Sequence, residues 1–235
     1  MKAVILAGGR GKRLEPLTNS SPKALVQIND KVLLEHILNS LVGIVDEVII
    51  VVGYLGNKIK EHLKNSYKTI SIKYVTQEEQ LGTGHALLCA KELVLENKID
   101  KFLVINGDDV YSNRDLKRLV KEDAAVLSYT SQTPELFGVI VEDPKSKKLL
   151  KIVEKPQEFI SFDVNTGVYV FPKEIFNHTL QKSQRGEYEI IDYINYLINE
   201  LDTDVKVVRI KNFWVPVNNL EQLKEAEHYL RILQT

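Results

Sequence analysis

The chain has 235 residues, 44% hydrophobic and 27% charged, so it carries enough apolar material to pack a core and is not a disordered segment. Its 31 Lys and Arg against 32 Asp and Glu leave a formal charge of −1, which offers no global field to a nucleic acid polymer or an anionic membrane and confines any phosphate chemistry to a local patch. The longest Val/Ile run, Val48 to Val52, falls far short of the roughly 20 residues of a membrane-spanning helix, and Ala3–Ala7 is shorter than the ~7–15 apolar residues of a secretory signal.

Taken in chain order, the first half alternates strand and helix. Strands are predicted at Ala3–Ala7, Glu47–Gly53, Ile70–Val75 and Lys101–Asn106, and helices at Val32–Val42, Asn57–Lys64 and Gly84–Glu96, where apolar positions recur three and four apart. Such alternation implies an α/β fold with a parallel sheet covered on both faces. Further strands at Ala124–Tyr129, Gly138–Glu142 and Leu149–Val153, separated only by turn signals, predict an antiparallel or mixed part. A strand at Val164–Phe171, a helix at Glu187–Leu201, a strand at Val205–Ile210 and a helix from Leu220 to Leu233 follow. Asn219 is a suitable N-cap for the last helix, with Gln222 completing a capping box. No repeat or linker divides the sequence, so residues 1–235 read as one domain. The single cysteine, Cys89, excludes an intrachain disulfide, suits a reducing cytoplasm and reads as a small buried hydrophobe.

Ligands of open α/β sheets bind beyond the carboxyl ends of the strands. Directly after the first strand runs Leu6-Ala7-Gly8-Gly9-Arg10-Gly11-Lys12-Arg13-Leu14. A dinucleotide fingerprint would need glycine or alanine at Leu14, and a nucleotide P-loop would need glycine at Leu6 and Ser or Thr at Arg13, so neither motif applies. What remains is a glycine nest in a segment, residues 1–25, with five basic groups (Lys2, Arg10, Lys12, Arg13, Lys23) against one acid, Glu15. That patch suits a polyphosphate, with Arg13 gripping oxygens in a fork and Lys23 acting as a mobile point charge. A solvated turn with incidental charges is the competing account, and the one preferred for Lys12 alone.

Together with Pro16-Leu17-Thr18 and Ser21-Pro22-Lys23, this loop resembles the opening of the sugar-1-phosphate nucleotidylyltransferases, and the resemblance extends over nearly the whole chain. It implies a Rossmann-like three-layer sandwich with a mixed, mainly parallel central sheet. It also implies nucleotide binding by Leu6, Ala7, Gly8, Gly9 and Gly11, with Arg13 and Lys23 in catalysis. The substrates would be a nucleoside triphosphate and a sugar-1-phosphate, and the cofactor Mg²⁺.

Gln77-Glu78-Glu79-Gln80-Leu81-Gly82-Thr83-Gly84-His85-Ala86 is similar to the base-binding segment of the uridylyltransferases, which gives Gln77, Gly82 and Thr83 that role; the competing account is a helix N-terminus with Gly84 and His85 incidental, and it is the one preferred for His85. Asn106-Gly107-Asp108-Asp109 ends an apolar strand, where an acid is costly without water, a partner or a metal. By resemblance Asp108 is catalytic and a metal ligand, and Asp109 a solvated turn residue or outer group. Gly138, Glu154, Lys155, Asn165 and Thr166 match sugar-phosphate-binding positions. The tail departs from the thymidylyltransferase pattern Trp-x-Asp-x-Gly: Trp214 is followed by Val215 and Pro216, which cannot bind metal. Val217-Asn218-Asn219 instead resembles the uridylyltransferase segment and makes Asn218 the second metal ligand, the alternative being that both asparagines merely start the helix.

The expected reaction is uridylyl transfer to glucose- or N-acetylglucosamine-1-phosphate with release of pyrophosphate. Ala7-Gly8-Gly9 leans towards thymidylyltransferases and keeps dTTP open; CTP-dependent transfer and a catalytically silent nucleotide-sugar-binding homologue are the alternatives. Bifunctional uridylyltransferases carry a further β-helix acetyltransferase domain, which is not expected here. A homo-oligomer is left open.

Overall fold

The computed structural model describes residues 1–233; residues 234 and 235 of the expected domain lie outside the described residues. In chain order the elements are β1 (Lys2–Ala7), β2 (Gln27–Ile28), β3 (Lys31–Val32), α1 (Leu33–Leu41), β4 (Glu47–Val52), α2 (Gly56–Leu63), β5 (Ser66–Tyr67), β6 (Ile70–Thr76), α3 (Thr83–Cys89), α4 (Lys91–Leu95) and β7 (Lys101–Asn106). The second half adds β8 (Asp109–Tyr111), α5 (Asn113–Leu119), β9 (Ala125–Thr130), β10 (Gly138–Glu142), β11 (Leu149–Glu154), β12 (Asp163–Pro172), α6 (Ile191–Asn199), β13 (Lys206–Arg209), β14 (Trp214–Pro216) and α7 (Leu220–Ile232).

The main sheet runs β11-β10-β12-β7-β1-β4-β6-β5, with β9 and β13 branching from β12. Its centre is parallel: Val4 stands opposite Ile49 of β4 and Val104 of β7, and β6 continues in the same direction beyond β4. β12 turns against β7 and β9, β10 turns against β11 and β12, and the sheet becomes mixed. Alternation along the strands feeds two cores. Ala3, Ile5, Val48, Ile50, Leu103 and Ile105 pack with α1, α2, α5 and α7 on one face, while Val4, Ile49, Val51, Phe102 and Val104 pack with α3, α4 and α6 on the other. Strands covered on both sides must be apolar at nearly every position, which is why these runs stand out in the sequence.

Several local features depart from expectation. The predicted helix Gly84–Glu96 divides at Ala90, whose N–H turns back to the Leu87 carbonyl in a tightened turn. The predicted helix from Glu187 begins only at Ile191, because the preceding backbone serves another partner: Tyr188 N–H bonds Leu81, the Tyr188 carbonyl accepts from Gly84, and Ile190 N–H bonds the Thr83 hydroxyl. Asn219 caps α7 through the Gln222 N–H as predicted, but Gln222 Oε1 reaches Asn218 N–H rather than the cap residue. Cys89 is half-buried, not buried, and burial raises its thiol pKa. Among the described residues no helix is long and apolar enough to cross a membrane.

Candidate active site

Beyond the carboxyl ends of β1, β6 and β7 lie two adjoining cavities of about 390 and 460 Å³. They share Arg13, Thr83, Asn106, Asp108, Glu187 and Asn218 as a common wall. Most of the residues singled out in the sequence line one or the other.

Leu6, Ala7, Gly8, Gly9 and Gly11 line the first cavity. Gly11 takes φ +67°, and a Cβ there would stand 2.8 Å from Lys23 Cβ, so only glycine lets the loop settle on Lys23. The Thr18 hydroxyl bonds the Gly11 carbonyl and holds that turn. Gly8 packs against the backbone at Gly53, whereas a side chain at Gly9 would meet open space. Arg13 is exposed at the cavity wall; Arg10 lies instead over the Tyr54 ring, 5.1 Å from its centroid.

Lys23, Asp108, Asn218 and Arg13 converge. Lys23 Nζ donates to Asp108 Oδ2 at 3.2 Å and to Asn218 Oδ1 at 3.4 Å, and Arg13 donates to the same Asn218 oxygen at 3.4 Å. These residues come from the glycine loop, the turn after β7 and the segment after β14, separated by up to 205 positions in sequence. Asp108 Oδ1 is buried and has no hydrogen-bond partner. An orphaned carboxylate oxygen beside a second oxygen donor fits a hard cation that keeps most of its coordination for water and substrate phosphates. Among the described residues no three His, Cys, Asp or Glu side chains cluster as a metal cage.

Asp109 requires a correction. It is neither solvated nor a turn residue: it lies in β8 at 5% exposure, where its carboxylate accepts from Trp214 Nε1 at 2.9 Å and from Val217 N–H at 3.2 Å. Burial and the neighbouring Asp108 push its pKa up to about 7, against the opposing pull of Lys23 and the two donors. Pairing of β8 with β14 sets Pro216 opposite Asp109, so the same contacts carry Asn218 to Asp108. Pro216 holds a position in this ribbon, as its sequence alone does not disclose.

The loop from Gln77 to Thr83 is tied down on both sides. Gln80 Nε2 donates to the Gly8 carbonyl, and Gly82, at φ +113°, lies so close to Tyr188 that a Cβ would stand 2.5 Å from its carbonyl. Gln77, Gly82 and Thr83 line the first cavity, and the Thr83 oxygen accepts from Ile190 N–H.

Gly138, Glu154, Lys155, Asn165 and Thr166 line the second cavity. Glu154 Oε2 would stand 3.0 Å from a Cβ at Gly138, and burial raises the Glu154 pKa. Lys155 is exposed at φ +43°. Asn165 is partly committed, donating to Tyr169 and accepting from Gly167 N–H. The Thr166 hydroxyl turns into the sheet and donates to Leu127, so its side-chain oxygen serves the fold rather than the cavity. Sequence reasoning missed Asn106, which lines both cavities, and Arg185, whose guanidinium stands 3.6 Å from Glu154, 3.8 Å from Glu189 and 3.9 Å from Glu187. Arg185 precedes Gly186 in a turn that reads locally as surface, and no spacing signal marks it.

The model of the family described as nucleotidyl transferase matches residues 2–231. The chain belongs to that family. Over 232 residues it is 38% identical to the bifunctional protein GlmU of Methanocaldococcus jannaschii, covering 98% of this chain and 54% of the relative. The chain thus spans about half the length of the bifunctional relatives it matches. It is 35% identical to the UTP–glucose-1-phosphate uridylyltransferase AglF of Haloferax volcanii, covering 98% of this chain and 97% of that protein. A Bacillus anthracis protein solved with sucrose and provisionally named a glucose-1-phosphate thymidylyltransferase superposes with a TM-score of 0.85 at 28% identity, covering 98% of this chain and 95% of the other. The mixed, mostly parallel sheet with helices on both sides is the Rossmann-like fold of that nucleotidyl transferase family member.

Proposed function

We propose that this chain is a cytoplasmic enzyme that transfers a nucleotidyl group from a nucleoside triphosphate to a sugar-1-phosphate, forming a nucleotide sugar and releasing pyrophosphate. UTP is the first choice and dTTP the second; the sugar is glucose or N-acetylglucosamine. One observation carries the reading: Arg13, Lys23, Asp108 and Asn218 converge on the wall common to two cavities. Two anions that repel each other need such a meeting point. The Haloferax relative, matched along nearly its whole length and named for UTP and glucose-1-phosphate, supports the uridylyl choice. The Bacillus structure supports dTTP as runner-up.

The chemistry is an in-line displacement. An oxygen of the sugar phosphate attacks the α-phosphorus, the α–β phosphoanhydride bond breaks, and pyrophosphate leaves with its electron pair. No covalent enzyme intermediate is required, so alignment and charge neutralisation supply the rate. Arg13 would neutralise the triphosphate and the departing pyrophosphate; Lys23 and Lys155 would hold the attacking phosphate. Glu154 would accept hydroxyls of the sugar. Asp108 and Asn218 would hold Mg²⁺, which when bound supplies positive charge to the phosphates.

Pyrophosphate release measured with UTP, dTTP and CTP against glucose- and N-acetylglucosamine-1-phosphate tests the reading. Release is expected, fastest with UTP. Arg13→Ala and Asp108→Ala are each expected to lower kcat by about 10³-fold while keeping the parent melting temperature. Near-normal turnover in either variant overturns the site, and no release by the parent from any pair leaves a nucleotide-sugar-binding module.

A further inference from the structure

We infer that His85 is a positioning residue that, together with the Gly82 carbonyl, makes Gln77 an acceptor-only reader of the nucleotide base and so selects, among the pyrimidines, a base with an imide edge, uracil or thymine. The inference rests on the proposed nucleotidyl transfer and sharpens its choice of base. His85 does not line either cavity; it stands behind Gln77, which does.

The direction of the Gln77 amide follows from its neighbours. Gln77 is 6% exposed, and its Nε2 lies 3.1 Å from the Gly82 carbonyl and 3.1 Å from His85 Nδ1. A carbonyl only accepts, so the nitrogen of the amide must face Gly82. The second amide proton then points at His85 Nδ1, which accepts it, and the imidazole carries its own proton on Nε2. Both N–H groups of Gln77 are thereby spent within the protein. Only Oε1 remains, turned towards the glycine loop, where a Cβ on Gly8 would stand 3.1 Å from it.

An acceptor with no donor to offer selects its ligand. Uracil and thymine present a ring N–H flanked by two carbonyls, whereas cytosine and adenine present a bare ring nitrogen at the same edge, which would face Oε1 lone pair to lone pair. Removing His85 leaves a buried amide proton without a partner and only the Gly82 carbonyl to orient the amide, so the rotated amide, whose N–H would donate to a bare ring nitrogen, is disfavoured less strongly. The same lock does not separate UTP from dTTP, whose imide edges are alike.

The experiment uses the full chain with His85→Leu, which removes the acceptor, and His85→Asn, whose Oδ1 stands where Nδ1 does. Steady-state kinetics with UTP and CTP are combined with calorimetric binding of each triphosphate. His85→Leu is expected to raise the UTP KM about tenfold at nearly unchanged kcat and to shrink the UTP-over-CTP preference in kcat/KM by a similar factor. His85→Asn is expected to restore both to within about threefold. A His85→Leu variant with the parent's KM and preference overturns the role of His85 and leaves the transfer reading intact, and so does a variant that changes only in melting temperature. Uridine triphosphate bound in the His85-dependent pattern without any turnover by the parent leaves His85's role standing and overturns transfer. Failure of His85→Asn to recover the preference lost in His85→Leu overturns the role of His85, because the lost property is then not the acceptor.

Discussion

The two cavities are built from different materials although they share a wall. The one under the glycine loop is bordered by Leu6, Ala7, Gly8, Gly9 and Gly11, with Lys12, Arg13 and Lys23 outnumbering Asp108 and Glu187. The other is made of side chains and leans acidic: Asp108, Asp109, Glu135, Glu154, Glu187 and Glu189 stand against Arg13, Lys155 and Arg185. A polyphosphate is a string of acceptors with negative charge, best met by amide N–H groups and cations. A sugar is a ring of hydroxyls, best met by carboxylates. The contrast also teaches where tolerance lies. A backbone-built cavity fails when the chain cannot take its conformation, and a side-chain-built cavity fails when one acceptor is lost.

Gly11 is the sharpest way to break the first cavity. Gly11→Ala is expected to lower kcat/KM for the nucleotide about 10²-fold, because the added carbon must push Lys23 from Asp108 and Asn218. Gly9→Ala, whose added methyl meets no protein atom although Gly9 lines the same cavity, is expected to leave Lys23 in place and to cost less than Gly11→Ala. Equal losses at both positions would show that the loop's flexibility, not its approach to Lys23, matters.

On the other side, Glu154→Gln replaces a carboxylate acceptor by an amide of the same shape. The KM for the sugar phosphate is expected to rise about tenfold with the KM for the nucleotide unchanged. A rise in the nucleotide KM instead would erase the division between the two cavities.

The smallest effect is expected at Asp109, beside the common wall, and is read from stability rather than turnover. The Asp109 pKa stands at about 7 in the folded chain against an ordinary 3.8. A raised carboxyl pKa means that folding favours the protonated form. Its contribution is fully present below about pH 4 and is lost as the pH rises through about 7. Melting temperature in the parent is therefore expected to decline across that window from this group, and Asp109→Asn to flatten the decline. A variant with the parent's slope would show that the carboxylate is ionised throughout by its two N–H donors.

Much of the fold was legible because its strands are covered on both faces. The predicted Lys101–Asn106 and Gly138–Glu142 coincide with β7 and β10, since a doubly buried strand shows a continuous apolar run bounded by turn residues. The short pairs β2–β3 and β8–β14 were not legible, because two or three residues carry no period. The late start of α6 was hidden for a different reason. Residues 188–190 keep a helical pattern, but their backbone groups are taken by Leu81, Thr83 and Gly84, and a tertiary hydrogen bond outweighs local propensity.

Within the site, the glycine loop and Asp108 were readable because their chemistry is local: closely spaced glycines, neighbouring cations and an acid at a strand end. Two adjacent aspartates look alike in a sequence, yet Asp108 borders both cavities with an unpartnered oxygen and Asp109 is buried under Trp214. Which is which depends on the β8–β14 ribbon. His85 reads as incidental in the sequence because no single-residue pattern can show that its ring nitrogen meets Gln77.

The sequence by itself determined the order of the longer strands and most helices, the glycine loop at the first strand end and the family resemblance, because each depends on residues within a few positions of one another. Only the tertiary structure decided that Arg13, Lys23, Asp108 and Asn218 meet and that Asp109 is buried. Those depend on contacts spanning up to 205 positions for Asn218, set by how the sheet and its terminal ribbon close.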